Sequence, residues 1–406
     1  MSQARKDRPL DYPVVAPTAL EPPGEWAELR QKCPVAGVTF PSGDAAVLLT
    51  RYEDVRTALA DPRLTREGLA RPDAARITAG DAEGIFSSPM ARALNDEGHE
   101  RWRRMVGRWF TAKRMAALKP RMEEMTDQLV DRMIEHGAPA DVVSHLALPL
   151  PVYVICTMLG VPESDRDRFK KWSDTFLNTT KYTREETEAA HGDFAGYMSA
   201  LVAGRRDEPG DDLLSRLMNA ADAEGEPMSE AGLVATGQAL LLAGHETTAG
   251  FIAMMTTHLL SDRGRWERLV DDRSLIRSAV EELLRFDPNG SGFGMLRYAH
   301  EDIEFSGGTV RRGTTVVCSM AAANRDEQAW ENPDVMDLGR SPNPHLTFGA
   351  GPHSCLGQPL ARTELQAVLG VLLRRLPQLR LAVDPAALRR HEGMLTSPLR
   401  EVPVTW

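Results

Sequence analysis

The chain of 406 residues is 42% apolar and 26% charged, a composition that excludes a disordered polypeptide. Its net charge of −10, from 48 basic and 58 acidic side chains, argues against nucleic acid as the principal partner. Four scattered cysteines and N-terminal charges without a following apolar run lead us to expect a cytoplasmic protein without a signal peptide. Three prolines interrupt the uncharged stretch Leu146–Pro162, so we expect no membrane partner.

Helical patterns dominate the chain after its N-terminal segment. A proline-rich lead-in occupies about the first 20 residues, and Val35–Phe40 and Ala46–Thr50 then flank a Pro-Ser-Gly-Asp turn, which predicts a β-hairpin. From Tyr52 to Leu284 apolar residues recur at helical spacing, for example over Met115–His136 and Thr183–Arg206. The larger part of the chain is therefore expected to be α-helical.

The last part of the chain mixes short strands with one helix. Between Arg297 and Val317 the pattern favours short strands with a turn at Gly307-Gly308. A helix is predicted over Leu356–Leu376 and a closing hairpin over Met394–Trp406. No linker or repeat separates these parts, so we expect one large, mainly α domain with small β-sheets over residues 1–406.

A glycine-rich segment places one cysteine immediately before the last predicted helix. It reads Phe348-Gly349-Ala-Gly351-Pro-His353-Ser-Cys355-Leu356-Gly357. Amides at a helix N-terminus stabilise a thiolate, and glycines let the backbone approach a flat ligand. Cys33, Cys156 and Cys318 are interpreted as buried hydrophobic residues, but the glycine spacing indicates a functional thiolate at Cys355.

A second segment, Ala231–Ser261, predicts a helix of 31 residues, roughly 46 Å long, in which Glu246 is the only formally charged side chain. A lone carboxylate in so apolar a segment is costly unless it is partnered or hydrated, and therefore it commonly marks function. Beside it, Gly244 and the Thr247 hydroxyl could open a groove in the helix for a small molecule and water. A satisfied buried glutamate in a helix bundle is the alternative interpretation.

These two segments, with the helix segment preceding the cysteine segment in the chain, resemble motifs of the cytochrome P450 monooxygenases. Phe348–Gly357 is similar to the F-G-x-G-x-H-x-C-x-G haem-binding loop, and Ala243–Thr248 is similar to the A/G-G-x-D/E-T oxygen-activation motif. The resemblance implies the P450 fold, with a long central helix over the haem. It also implies haem b (iron-protoporphyrin IX) with Cys355 as the axial thiolate. Thr247 would hydrogen-bond the bound dioxygen, and Glu246 would relay protons.

The resemblance also implies cationic partners for the haem propionates. His99 and Arg103 lie one helical turn apart, as in the family's propionate-binding helix, although a solvated helix face is the alternative interpretation. Arg297 matches the family's strand arginine, and His353 lies two residues before the thiolate. The residues implied to contact the cofactor are His99, Arg103, Ala243, Gly244, Arg297, Phe348, Gly349, His353, Cys355, Leu356 and Gly357.

A structural network is implied as well. Glu282 and Arg285 share a helix face and resemble the family's E-x-x-R, whose partner would be Arg340. The chain departs from the family at Met336, where phenylalanine is usual, and at Glu327, where proline is usual. Both departures put the local packing in question, but not the haem.

The resemblance spans roughly residues 20–406 and implies an enzyme that hydroxylates or epoxidises a sizeable, mainly apolar substrate, expected to be a secondary metabolite. Its partners would be O₂ and a separate ferredoxin or flavodoxin with an NAD(P)H reductase. Candidate substrate contacts are Ile85, Phe86, Phe176, Leu240, Ala243, Gly292, Phe293 and Leu395.

Two alternatives remain open. A haem-thiolate peroxygenase, or a coupling or rearrangement enzyme, would share the cysteine loop, but such family members often lack the acid–alcohol pair that Glu246 and Thr247 retain. A non-catalytic haem-based ligand sensor would need no proton relay.

Overall fold

The computed structural model describes residues 9–77, 89–177, 181–222, 224–286, 294–391 and 397–406. The chain divides into two compact units, which we call the sheet unit (Met1–Ser88 and Glu281–Cys355) and the helix unit (Pro89–Val280 and Leu356–Trp406). Most described residues lie in helices, and the strands are short, so the fold is mainly α with small sheets, as predicted. No helix within the described ranges is long and apolar enough to cross a lipid bilayer.

The helices are, in chain order, α1 (Glu25–Lys32), α2 (Tyr52–Ala60), α3 (Pro89–Asp96), α4 (His99–Gly107), α5 (Ala112–His136), α6 (Pro149–Leu159), α7 (Arg166–Leu177), α8 (Arg184–Asp207), α9 (Leu213–Met218), α10 (Glu230–Leu260), α11 (Arg263–Asp271), α12 (Ile276–Phe286), α13 (Met320–Ala323) and α14 (Gln358–Arg375). The strands are β1 (Leu10–Asp11), β2 (Val35–Thr39), β3 (Ala45–Leu49), β4 (Leu64–Thr65), β5 (Ala140–Asp141), β6 (Met295–Ala299), β7 (Ile303–Phe305), β8 (Gly308–Val310), β9 (Thr315–Cys318), β10 (Arg380–Leu381) and β11 (Pro403–Thr405).

The sheet unit is organised around a mixed sheet with the strand order β1-β2-β3-β9-β6-β4. Strands β2 and β3 pair antiparallel, which confirms the predicted hairpin, and β3 pairs with the distant β9 in parallel. Strands β7 and β8 form the hairpin predicted at Gly307-Gly308. The β-branched and leucine side chains of β3 and β9 pack against α2 in a buried apolar core, whose members include Leu49, Val55, Leu59, Val316 and Leu346.

The helix unit is built around α10. This helix begins at Glu230, after its N-cap Ser229, and has 31 residues; both of its ends lie one residue earlier than predicted. It is buried on nearly all sides because α3, α6, α8 and α14 pack around it. A Cβ at Gly237 would overlap Met198 of α8, so glycine permits that close approach. α5 and α8 also form near their predicted bounds, and each begins at a threonine N-cap.

The predicted closing hairpin over Met394–Trp406 is wrong. The final strand, β11, pairs antiparallel with β10 on one side and with the distant β5 on the other. Residues 392–396 lie outside the described residues, and Arg390 and Leu399 form an isolated bridge. Alternating apolar residues predict a strand but carry no information about which strand is its partner.

Candidate functional site

The loop that ends at Cys355 is held by its own backbone. Gly349 and Gly351 both have a φ of 71°, a left-handed conformation that glycine adopts readily. The Cys355 N–H donates to the Phe348 carbonyl over 2.7 Å, and the Gly349 N–H donates to the Leu346 carbonyl over 2.7 Å. A Cβ on Gly351 would lie 2.6 Å from the Cα of Ala60, so no side chain fits there. The loop conformation therefore depends on glycine at both positions.

Side chains of the sheet unit fix the start of this loop. Asn324, which is 2% exposed, accepts from the Leu346 N–H over 2.7 Å and donates to the Thr347 hydroxyl over 2.9 Å. Thr347 in turn donates to the Leu284 carbonyl over 2.7 Å, and Phe348 is buried beside it. These buried hydrogen bonds hold the loop to α12 and α13.

Two of the four cysteines, Cys355 and Cys33, are exposed, whereas Cys156 and Cys318 are fully buried. The interpretation of Cys33 as a buried residue is therefore wrong. Burial raises the pKa of both buried thiols to about 12, so they remain protonated and unreactive at neutral pH. The chain continues from Cys355 into α14, whose N-cap is Gly357. In the sequence the thiol thus stands three residues before the first residue of that helix.

Glu282 and Arg285 form a fully buried ion pair on α12. Two bonds of 2.7 and 2.8 Å join the guanidinium to the two carboxylate oxygens. Arg340 donates to the same carboxylate over 3.1 Å, as does the Asp337 N–H over 2.9 Å. Arg285 also donates to the Asn324 carbonyl. This network ties α12 to the segment on which the cysteine loop is anchored.

The two departures from the family pattern are accommodated locally. Met336 is buried at 9% exposure. Glu327 accepts from Arg30 over 3.1 Å and from Gln31 over 2.9 Å, both on α1. A glutamate at this position therefore adds a link between α1 and the segment after α13.

Arg297 on β6 is a buried cation with an unused donor. It is 2% exposed, and one of its terminal nitrogens donates to the Leu296 carbonyl over 2.8 Å. Its buried Nε has no hydrogen-bond partner among the described residues. Burial lowers the pKa of Arg297, and burial together with the Arg297 charge lowers that of Arg66. A buried guanidinium of this kind is suited to receive an anionic ligand.

His99 and Arg103 lie one turn apart on α4 and are both half-buried. The neighbouring Arg104 is 60% exposed and lies 3.9 Å from the Glu100 carboxylate, a surface pair. Arg101 is bound to carboxylates of its own, from Glu97 and Asp222. The solvated face of α4 is therefore that of Arg104.

On α10, Ala243 and Thr247 are exposed although the residues around them are largely buried. Thr247 donates to the Ala243 carbonyl over 3.0 Å, and a Cβ at Gly244 would lie 3.4 Å from Ile155 on α6. Glu246 is 6% exposed. Burial lowers the pKa of His245, whose Nδ1 lies 2.9 Å from the Leu241 carbonyl. Since a carbonyl only accepts, Nδ1 carries a hydrogen, and the lowered pKa favours the neutral ring.

The candidate substrate contacts are only partly visible. Phe176 stacks on His191 with a centroid distance of 4.1 Å, between α7 and α8. Leu240 is 8% exposed on α10. The others, apart from Ala243, lie outside the described residues: Ile85, Phe86, Gly292, Phe293 and Leu395.

Two polar features of the helix unit, a hydrogen-bonded pair and a buried carboxyl, were not predicted from the sequence. Trp102 donates from its indole nitrogen to the Thr236 hydroxyl over 2.8 Å. Glu364 on α14 is 1% exposed, and one of its carboxyl oxygens has no partner among the described residues. No local sequence pattern marks the first pair, which is 134 residues apart. A carboxylate among the apolar residues of a predicted helix could have indicated the second.

Comparisons with known proteins agree along the whole chain. A family model described as Cytochrome P450 matches residues 169–379. The chain is 44% identical over 398 residues to the nocardicin C N-oxygenase of Nocardia uniformis subsp. tsuyamanensis, covering 97% of this chain and 98% of that protein. It is 43% identical over 398 residues to the mycinamicin IV hydroxylase/epoxidase of Micromonospora griseorubida, covering 98% and 99%.

The architecture agrees as well. The crystal structure of the LnmA cytochrome P450 hydroxylase, from the leinamycin biosynthetic pathway of Streptomyces atroolivaceus S-140, matches with a TM-score of 0.87 at 41% identity. The match covers 98% of this chain and 100% of that one. With relatives this similar over their full length, the chain belongs to the cytochrome P450 family, has the P450 fold and is a P450 monooxygenase.

Proposed function

We propose that this P450 holds haem b through the Cys355 thiolate and oxygenates a sizeable apolar substrate. The observation that carries the proposal is the exposed Cys355 thiol, placed by a loop with two left-handed glycines directly before α14. The bound haem thiolate would supply dioxygen activation with two electrons and two protons. The amides of Leu356, Gly357 and Gln358 would donate to the sulfur and hold it as the thiolate.

The charged residues fit the anionic edge of a haem. Arg297 offers a buried Nε that lacks a protein acceptor among the described residues, which suits a propionate. His99 and Arg103 would bind a propionate from α4. Both are half-buried, whereas the next residue, Arg104, is exposed to solvent. Gly349 and Phe348 would contact the flat face of the macrocycle, and His353 would assist at its edge.

Thr247 and Glu246 would deliver the protons. The Thr247 side chain is exposed, so its hydroxyl can turn from the Ala243 carbonyl and donate to oxygen. The buried Glu246 would return a proton to it. His245 does not suit this role, because its Nδ1–H is held by a carbonyl and burial keeps the ring neutral. Ala243 and Gly244 carry too little bulk to block the approach of a small molecule.

The substrate is proposed to be a secondary metabolite. The similar proteins carry names of oxygenases for nocardicin C and mycinamicin IV, which are molecules of this kind. Electrons would come from a ferredoxin or flavodoxin with an NAD(P)H reductase, in the cytoplasm. Phe176 and Leu240 are proposed to contact the substrate.

The test is the yield of oxygenated product per NADPH consumed, with a surrogate ferredoxin and reductase. Thr247→Ala should retain haem and the substrate-induced spin shift, since neither depends on the hydroxyl. It should continue to consume NADPH but release peroxide, with the yield of product lower by about 100-fold or more, the usual scale of a lost proton donor. Glu246→Ala should lower the yield in the same direction.

Thr248→Ala is the matched control, since Thr248 is the next residue and donates to the Gly244 carbonyl over 3.3 Å. It should keep the product yield of the unaltered protein. Unchanged yield in both Thr247→Ala and Glu246→Ala would reject the proton relay. Peroxide-driven turnover or coupling would then be the better account of the reaction.

A further inference from the structure

Helix α4, which carries the His99 and Arg103 pair, is bound to the N-terminal turns of α10 at two points. The first involves Glu97, just before α4, which is 8% exposed. Its carboxylate accepts from the Ser229 N–H over 2.9 Å, at the N-cap of α10. A Cβ on Gly232 would overlap this carboxylate, so the glycine makes room for it. Arg101 pairs with Glu97 and reaches Asp222 over 2.6 Å.

The second point is the hydrogen bond between Trp102 and Thr236. The indole N–H of Trp102 donates to the Thr236 hydroxyl oxygen over 2.8 Å. Thr236 is fully buried, and its own hydroxyl donates to the Gly232 carbonyl over 2.6 Å. The hydroxyl also lies 3.5 Å from the Met228 sulfur, so both of its acceptors are outside α4 and its lone pair receives the indole N–H. The buried contact of the Trp102 N–H therefore depends on the placement of α4 against α10.

Thr236 lies on the same face of α10 as Thr247. Thr247 lies eleven residues further on, which at 100° per residue is about three full turns, so both side chains share one face of the helix. On α4, Trp102 is the immediate neighbour of Arg103. A rigid helix transmits the position of one turn to the next. The bond therefore fixes the offset along the helix axes between Arg103 and the Glu246–Thr247 turn.

We propose that Trp102 is a positioning residue that sets, through Thr236, the position of α4 and thereby the hydrogen bonding of the haem propionates to His99 and Arg103. This inference rests on the proposed function, because it concerns the same haem. Trp102 itself would not touch the reacting atoms. Its role would be to fix the position of His99 and Arg103 along the axis of α10.

The test uses the purified haem-loaded enzyme and two readouts other than turnover. The first is the propionate-bending band in the resonance Raman spectrum, and the second is the rate of haem transfer to apomyoglobin. Trp102→Phe keeps the ring but loses the N–H, and Thr236→Val keeps the shape but loses the hydroxyl. Each should shift the band and speed haem transfer about three- to tenfold, the scale of one lost hydrogen bond.

Variants of the same pair separate positioning from simple core filling. The double variant Trp102→Phe/Thr236→Val should show the same band shift and the same rate of haem transfer as either single variant. Thr236→Ser keeps the hydroxyl and should keep the original band. In an Arg103→Ala background, Trp102→Phe should cause no further change in the band. The control is Trp266→Phe, since Trp266 is fully buried on α11 and donates to the Pro377 carbonyl over 2.9 Å.

A propionate band in Trp102→Phe that matches the unaltered enzyme, with haem transfer no faster than in Trp266→Phe, would overturn the proposal. This failure would leave the thiolate spectrum of the haem intact. If the proposed function is wrong, the thiolate spectrum would instead not depend on Cys355. The two failures are therefore distinguishable in the same preparations.

Discussion

At the scale of single residues, Glu364 on α14 shows how burial sets charge. The side chain is 1% exposed, and burial raises the pKa of its carboxyl to about 8. The group is therefore mostly protonated at neutral pH in the folded protein. In the unfolded chain it ionises near its ordinary pKa of 4.5. This difference couples folding to pH through one residue.

The expected effect is a loss of stability as the pH rises. A carboxyl with a raised folded pKa contributes its full stability below about pH 4.5 and loses it as the pH rises towards 8. Over that window the free energy of unfolding should fall by up to about 1.4 kcal/mol per pH unit. Glu364→Gln cannot ionise, so urea titrations should show this slope removed and a more stable protein at pH 8.

Glu188→Gln serves as the control, because Glu188 is 63% exposed on α8. It should leave the pH dependence of unfolding as it is. If the free energy of unfolding of Glu364→Gln changes with pH as steeply as that of the unaltered protein, the Glu364 carboxyl is ionised in the folded protein.

At the scale of elements, the best-predicted parts are those whose signal is local. The β2–β3 hairpin follows from two apolar segments around a turn, and α10 follows from a long stretch with a single charged side chain. The cysteine loop was visible from glycine spacing alone. The pairing of β11 with β5 and the Trp102–Thr236 bond were not predicted, since their partners are far apart in sequence and no local pattern encodes them.

The buried pair on α12 allows a prediction about stability. Arg285→Ala leaves the Glu282 carboxylate buried with Arg340 as its remaining cation, and it should cost about 3–5 kcal/mol of unfolding free energy. Arg56→Ala is a matched control, because Arg56 and Glu53 have the same spacing on α2 but are 55% and 68% exposed. That variant should lose less than about 1 kcal/mol. Equal losses in urea unfolding would contradict the distinction drawn from burial.

At the scale of the whole molecule, the single domain predicted over residues 1–406 remains a prediction. The sheet unit and the helix unit each have a compact interior of their own. If the chain behaves as one domain, urea unfolding followed by tryptophan fluorescence and by haem absorbance should give coincident midpoints. Two separate transitions would indicate that the units unfold independently.

The most direct test of the central claim is the ferrous–CO absorption spectrum of cysteine variants. Cys355→His and Cys355→Ser should lose the red-shifted Soret band of thiolate-ligated haem, and the histidine variant should still bind haem. Cys33→Ser removes the other exposed thiol and should keep that band. A thiolate band that persists in Cys355→Ser and Cys355→His would contradict the assignment of Cys355 as the haem ligand.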